Sequence, residues 1–290
     1  ACAEGLRRGV PSILRAPDKD EVVGGNGAVI KLAGDTLEER IVKEYAAVTF
    51  SMTGGAPRMA KIWEARDKLK QAKAYAEAWD RYERKYKEYE QRKARSTPDL
   101  VEPPRQPSRH PERELLRGLF KRQMPALVRV DRDDEIRNTL TVFRDEFNLD
   151  TVLLGAGNAY RLIPELRRHG LGVALGPNVI QYDKTKAINN AALLTAKGIP
   201  VALHTSASSG TQYLPMSAAY AVRHGMEPEQ AFQAVTVTPA RLLHVEDRIG
   251  SIDAGKDADL VILTGMPFEF TTQVKTVMVN GRTVYRRTAQ

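Results

Sequence analysis

Few side chains in this sequence could do chemistry. There are five histidines. His204 ends the apolar run Pro200–Leu203, which reads as a strand, so it stands where a strand opens into a loop. His110 lies in a proline-rich stretch, and His169 and His224 each precede a glycine, where a cation offsets a helix dipole. His244 sits in the closing segment. These four read as structural or solvated. Asp131 and His204 together make two ligands, fewer than a tight catalytic zinc needs. Ser206 and Ser208 beside His204 raise a serine-nucleophile reading, but nothing here resembles the strained strand-to-helix turn of a nucleophile elbow. The catalytic candidates are therefore His204, Asp131 and Ser206. A second group is the charged run after the strand-like Ala126–Val130. There Arg129 and Arg132 suit an anionic ligand such as a carboxylate; the alternative is ion pairing with Asp131, Asp133 or Asp134. The single cysteine, Cys2, excludes an intrachain disulfide and a multi-cysteine zinc or iron–sulfur site. These residues predict no metal site and no cofactor.

The elements that must position these groups alternate in type. The chain has 290 residues, 42% of them hydrophobic and 28% charged, enough for one large or two small domains with a sizeable core. That composition excludes a disordered chain, a collagen and a disulfide scaffold. No uncharged apolar run approaches about 18 residues, so no membrane span is expected. Val10–Leu14, Ala46–Met52, Ala126–Val130, Thr151–Leu154, Gly172–Leu175 and Pro200–Leu203 read as strands. Glu135–Phe147, Tyr160–Arg168 and Lys186–Ala196 read as helices between the later ones. Such alternation means a parallel sheet, either doubly wound or an incomplete TIM-like (β/α)8 barrel. Asp259–Leu263, Val274–Val279 and Thr283–Arg286 form a separate antiparallel unit, in which Asn280-Gly281 suits a type I′ turn.

The longest helical stretch is Arg58–Arg95, with thirteen basic against seven acidic residues; most of the formal net charge of +8 sits there. Tyr75, Trp79, Tyr82, Tyr86 and Tyr89 recur on one face. The stripe either packs on the protein's own body or forms a coiled-coil-like contact with a homo- or hetero-oligomeric partner. The interspersed acids argue against nucleic acid. Residues 96–111 follow with five prolines and read as a loop.

Three segments carry a family resemblance: AVTVTPARLLHV at 234–245 with GSIDAGKDADLVI at 250–262, GGNGAVIK at 24–31, and IPVALHTS at 199–206. Thr238-Pro239 suits a helix start, with Thr as N-cap and Pro at the first helical position. Over nearly the whole chain the sequence resembles the amidohydrolase superfamily, in its imidazolonepropionase-like branch. The resemblance implies an α/β fold, an incomplete barrel over residues 1–248 and a C-terminal part of a small β-sandwich over 249–290. In it the glycine-rich stretch follows the second barrel strand. It also implies metal-dependent hydrolysis of C–N bonds in amides or cyclic amides. The family's ligands are a His-x-His pair, two further histidines, an aspartate and in some members a lysine. This sequence departs at each testable place. It has no His-x-His; the segment 128–134 and the segment 154–157 lack histidine; the aspartate position falls on Ser206 and the lysine position on Thr49. The expectation is a catalytically degenerate domain acting as scaffold, subunit or ligand-binding module. Its pocket would be lined by Arg129, Asp131, Arg132, Asn158, Asn178, His204 and Ser206. The alternative is an active enzyme binding zinc or another divalent metal, with missing ligands from an upstream segment or a partner chain that also supplies barrel strand 1. The opening ACAEGLRRGV lacks an initiator Met and a signal-peptide pattern. It is read as a start inside a longer protein, and no compartment is implied.

Overall fold

Runs of aliphatic and β-branched residues become strands, and a computed structural model describes residues 2–17, 21–54, 58–94, 102–183, 185–205, 210–269 and 271–288. Seven strands form one sheet: β1 (Ser12–Arg15), β2 (Val23–Lys31), β3 (Ile41–Ser51), β4 (Ala126–Val130), β5 (Thr151–Gly155), β6 (Gly172–Leu175) and, beyond a hairpin of β7 (Ile180–Asp183) and β8 (Lys186–Asn189), β9 (Val201–Leu203). Their order is β1-β2-β3-β4-β5-β6-β9. The first two pairings are antiparallel, and the run from β3 to β9 is parallel. The result is mixed α/β with an open half-barrel sheet, as the alternation predicts.

Helices fill the connections: α1 (Cys2–Arg7), α2 (Leu37–Arg40), α3 (Arg58–Lys93), α4 (Pro111–Phe120), α5 (Asp133–Thr139), α6 (Ile163–His169), α7 (Asn190–Thr195), α8 (Leu214–Arg223), α9 (Pro228–Val235) and α10 (Val237–Leu242). Side chains alternate across each strand. Ala126, Val128 and Val130 of β4 join the main core with Phe50, Leu153, Val173 and the inner faces of the helices. Leu127 and Val152 face the other way and pack on Ala240, Leu243 and Val245. One end of the sheet's inner face is thus covered by the α10 region. Towards the opposite end that face carries Arg129, Leu154 and Ala174, all half-buried and in register across β4, β5 and β6.

Some boundaries differ from the sequence reading. The stretch expected as a helix over Glu135–Phe147 is α5 followed by a π-helical segment, Leu140–Glu146, that seats Phe143 edge-on against Phe50 at 5.0 Å. Tyr160–Arg168 splits into a 3-10 turn, Ala159–Leu162, and α6. The helix expected from Lys186 begins at Asn190, because the Asn189 side chain accepts the Ala192 N–H at 3.0 Å and caps it there. The helix expected to start at Thr238-Pro239 starts at Val237, with Thr236 in the cap position. Pro239 is tolerated inside its first turn, where no N–H needs a partner. The glycine-rich stretch is itself a strand, β2: a Cβ on Gly24 would lie 2.6 Å from Thr49 Oγ1, so glycine is what lets β2 approach β3.

A three-stranded antiparallel sheet closes the chain: β10 (Leu260–Leu263), β11 (Val274–Val279) and β12 (Arg282–Arg286). Asn280 and Gly281 turn it with φ of 51° and 75°, as a type I′ turn requires. Val277 and Val279 pack on Leu6 and Leu32. A fully buried lysine ties this sheet to β2. Lys31 is 0% exposed, and its Nζ donates to Asp257 Oδ2 at 2.7 Å, to Asp259 Oδ1 at 2.9 Å and to Asn280 Oδ1. Three acceptors satisfy the three ammonium donors. Burial pushes the Asp257 carboxyl up, but Lys31 and Arg248 together hold it below the ordinary carboxylate range. The Gly-Lys-Asp-Ala-Asp motif is therefore a structural staple.

α3 has 36 residues, about 54 Å of helix. Its first half is fixed by Ile62, Ala65, Leu69, Ala72, Tyr75 and Trp79, all buried at helical spacing. Between Trp79 and Lys93 no residue is buried. No described helix is long and apolar enough to cross a membrane.

Candidate functional site

In a parallel sheet of this kind the strand ends point side chains to one edge, where loops are free to vary. Here that edge is formed by the C-terminal ends of β3, β4, β5, β6 and β9. Arg129, near the end of β4, lies in register between Ser51 and Leu154. Asp131 follows it and is exposed. Asp131 Oδ1 accepts the Gly157 N–H at 3.1 Å, and its carbonyl accepts the Asn158 N–H at 3.1 Å. A Cβ on Gly157 would come within 2.5 Å of Asp131 Oδ1, so glycine is what lets the β5 loop close on this carboxylate.

Arg132 turns away from this group. Its Nε donates to Asp134 Oδ1 at 3.2 Å, both side chains being exposed, so the pairing alternative describes Arg132. The slight burial of Asp134 pushes its carboxyl up, and Arg132 with nearby backbone N–H groups brings it below its ordinary value. Asn158 is half-buried beside Asp131 through the backbone. Asn178 is exposed after β6, where its carbonyl accepts Gln181 Nε2 at 3.4 Å. His204 is half-buried at the end of β9, and its backbone N–H donates to Leu175 O at 2.9 Å. β6 and β9 meet so closely that a Cβ on Gly176 would lie 1.8 Å from the His204 carbonyl oxygen. Ser206 and Ser208 lie outside the described residues.

Arg129 thus lies on β4, and Asp131, Asn158, Asn178 and His204 lie in the segments that follow β4, β5, β6 and β9; Arg132 is exposed and pairs with Asp134. Four residues passed over in the sequence hold it in place. Glu135 Oε2 accepts the backbone N–H groups of Asp131 and Arg132 at 2.8 and 3.1 Å, the reach-back of an acid in a helix's first turn. Buried Asn190 donates to the carbonyls of Ala156 and Gly157, both at 3.1 Å. Gln181 reaches the same glycine: its Nε2 lies 3.1 Å from where a Gly157 Cβ would stand. Lys61 is buried, and its Nζ donates to the Thr53 carbonyl just past β3. The signal for Glu135 was its place three residues into a helix; the others depend on contacts between distant segments.

A catalytic metal needs three converging protein ligands. Among the described residues of this edge Asp131 and His204 are two candidates, and one Asp131 oxygen accepts a backbone N–H. Among the described residues no group of three or more His, Cys, Asp or Glu side chains could hold a metal. Thr49 donates its hydroxyl to Gly25 O at 3.2 Å. The remaining histidines have structural partners. His110 flanks α4 with its ring 6.1 Å from that of Tyr75. His169 ends α6 3.5 Å from Asp145, His224 Nδ1 lies 2.9 Å from Tyr220 O, and His244 Nε2 lies 2.6 Å from Asp150 Oδ2.

Comparison with known proteins agrees with this architecture. Residues 137–284 match the sequence profile of the amidohydrolase family. An imidazolonepropionase of Thermoplasma volcanium is 29% identical over 137 residues, which is 44% of this chain and 34% of that protein. An adenine deaminase of Methanosphaera stadtmanae is 42% identical over 67 residues, 23% of this chain and 11% of that protein. The chain spans about a third or less of these curated relatives. A crystal structure of an amidohydrolase from Thermotoga maritima superposes with a TM-score of 0.80 at 27% identity, covering 98% of this chain and 74% of that one. On the strand-and-helix order, the C-terminal motif and these likenesses, the chain belongs to the amidohydrolase family.

Proposed function

We propose that this amidohydrolase-family domain is a ligand-binding module that has given up metal-dependent C–N hydrolysis. Its strand-end face takes a small anionic molecule such as a carboxylate. The observation that supports this reading is the set of groups at that edge. A guanidinium, Arg129, stands where the family resemblance expects a histidine-bearing strand, and Asp131 accepts a backbone N–H. A guanidinium matches a carboxylate in a planar two-bond geometry and supplies no metal ligand. Asn158 and His204, past the ends of β5 and β9, would add polar contacts. The test is calorimetric titration with a panel of small mono- and dicarboxylates. Binding should weaken about tenfold or more in Arg129→Ala and stay unchanged in Arg132→Ala; equal affinity in all three proteins would refute the reading.

A second reading is a working metal-dependent amidohydrolase whose missing ligands come from an upstream segment or a partner chain. It is favoured by the quarter of the Thermotoga chain that this one does not span. Stoichiometric zinc uptake accompanied by hydrolysis of a cyclic amide would establish it in place of the first.

A further inference from the structure

The outer half of α3 presents an aromatic ladder. Neighbouring rings of Tyr75, Trp79, Tyr82, Tyr86 and Tyr89 lie 5.7–6.1 Å apart. α4 covers the inner part: Tyr75 Oη donates to Glu114 at 2.7 Å, and the Arg117 guanidinium lies 5.2 Å from the Trp79 ring. The α4 end reaches as far as Glu83, which pairs with Arg117 and Lys121; beyond it Tyr89 is half-buried and Tyr86, 40% exposed, is open to water.

The segment that leads into α4 returns along this face. Residues 102–110 have no regular hydrogen-bonded structure, and the His110 ring and Arg109 guanidinium reach Tyr75 and Trp79 at 6.1 and 5.8 Å. Between 102 and 110 only Pro104 and Pro107 are half-buried; the residues around them are exposed. A period of three is that of a polyproline II helix, which rises about 3.1 Å per residue. With His110 level with Tyr75, Pro107 lies about 9 Å further out and Pro104 about 19 Å. On an α-helix rising about 1.5 Å per residue those heights fall at Tyr82 and between Tyr86 and Tyr89. One turn of polyproline helix, about 9 Å, nearly matches the roughly 10 Å heptad step from Tyr82 to Tyr89.

We infer that the tyrosine face of α3 is a polyproline-binding surface, occupied by the chain's own Pro103–Pro107 segment, so that the projecting arm is a closed helix-and-polyproline pair. Aromatic-lined grooves hold proline-rich segments well because a polyproline helix loses little entropy on docking. This inference is independent of the strand-end ligand.

Amide hydrogen exchange over residues 82–93 of the full chain tests it, with residues 60–76 as an internal reference. In Pro104→Gly/Pro107→Gly, exchange over 82–93 should rise at least tenfold with the reference unchanged, and tryptic cleavage after Arg105 should accelerate. The same cleavage should accelerate in Tyr82→Ala/Tyr89→Ala, whose reference exchange shows that the body is intact. Unchanged exchange in the proline variant would overturn the inference. So would protection over 82–93 that disappears on dilution as a dimer dissociates, since a second copy would then occupy the tyrosine face.

Discussion

Two charged clusters in this molecule look alike in sequence and differ in kind. At the junction of β2 with the C-terminal sheet, Lys31 is fully buried and all three of its donors meet Asp257, Asp259 and Asn280. At the strand-end edge, Arg132 pairs with Asp134 in water, and Asp131 is exposed with one oxygen on a backbone N–H. The junction seals its lysine from water and ties two sheets together. The edge keeps Asp131, Arg132 and Asp134 exposed just past β4, with Arg129 half-buried on the strand before them. A dense, saturated ionic cluster therefore belongs to the fold, and a sparse, partly hydrated one is where a ligand can enter.

The contrast is sharpest on removal of one partner. Lys31→Met should destabilise the protein by about 3 kcal/mol, because it leaves two carboxylates without their buried cation; urea unfolding measures this. A loss below about 1 kcal/mol would mean the junction is hydrated and the comparison fails. Gly176→Ala should cost about 2–3 kcal/mol, since the backbone of β9 has no room for a methyl group and φ is 149°. That loss would show that the edge is shaped by backbone proximity, and its charges are superimposed on it.

Acid tests the carboxylates that hold the fold. Asp257 titrates below its ordinary range through Lys31 and Arg248 acting against burial; Asp150 does so first through its hydrogen bond to His244. Carboxylates with lowered values in the folded state contribute stability above about pH 4, and that contribution disappears as the pH falls through the folded values. Thermal melts from pH 6 to pH 2.5 should show this loss, with a shallower fall in Lys31→Met. The smallest effect is expected at the surface: Arg132→Ala should change stability by less than about 0.5 kcal/mol.

Much of the fold was legible because it follows from local rules. Ala126–Val130, Gly172–Leu175 and Val274–Val279 coincide with the strands, and Asn280-Gly281 takes the two positive φ values its turn needs. Lys31 was not legible as a buried residue, because its partners lie more than 220 residues away. The edge was legible as a list but not as an arrangement. Arg129, Asp131, Asn158, Asn178 and His204 can be named from strand ends alone, yet which arginine faces out is decided by Asp134, and what holds Asp131 is a glycine 26 residues further on. Glu135 was hidden in a run of acids, where only its helical position distinguishes it.

The central proposal is that the strand-end edge binds an anion and holds no catalytic metal. Elemental analysis of protein purified without chelators, before and after incubation with zinc, tests it most directly. The account predicts metal below about one tenth of an equivalent per chain and no retained uptake, as expected of two donors in place of three. One or two tightly held equivalents, lost together in Asp131→Ala and His204→Ala, would contradict it.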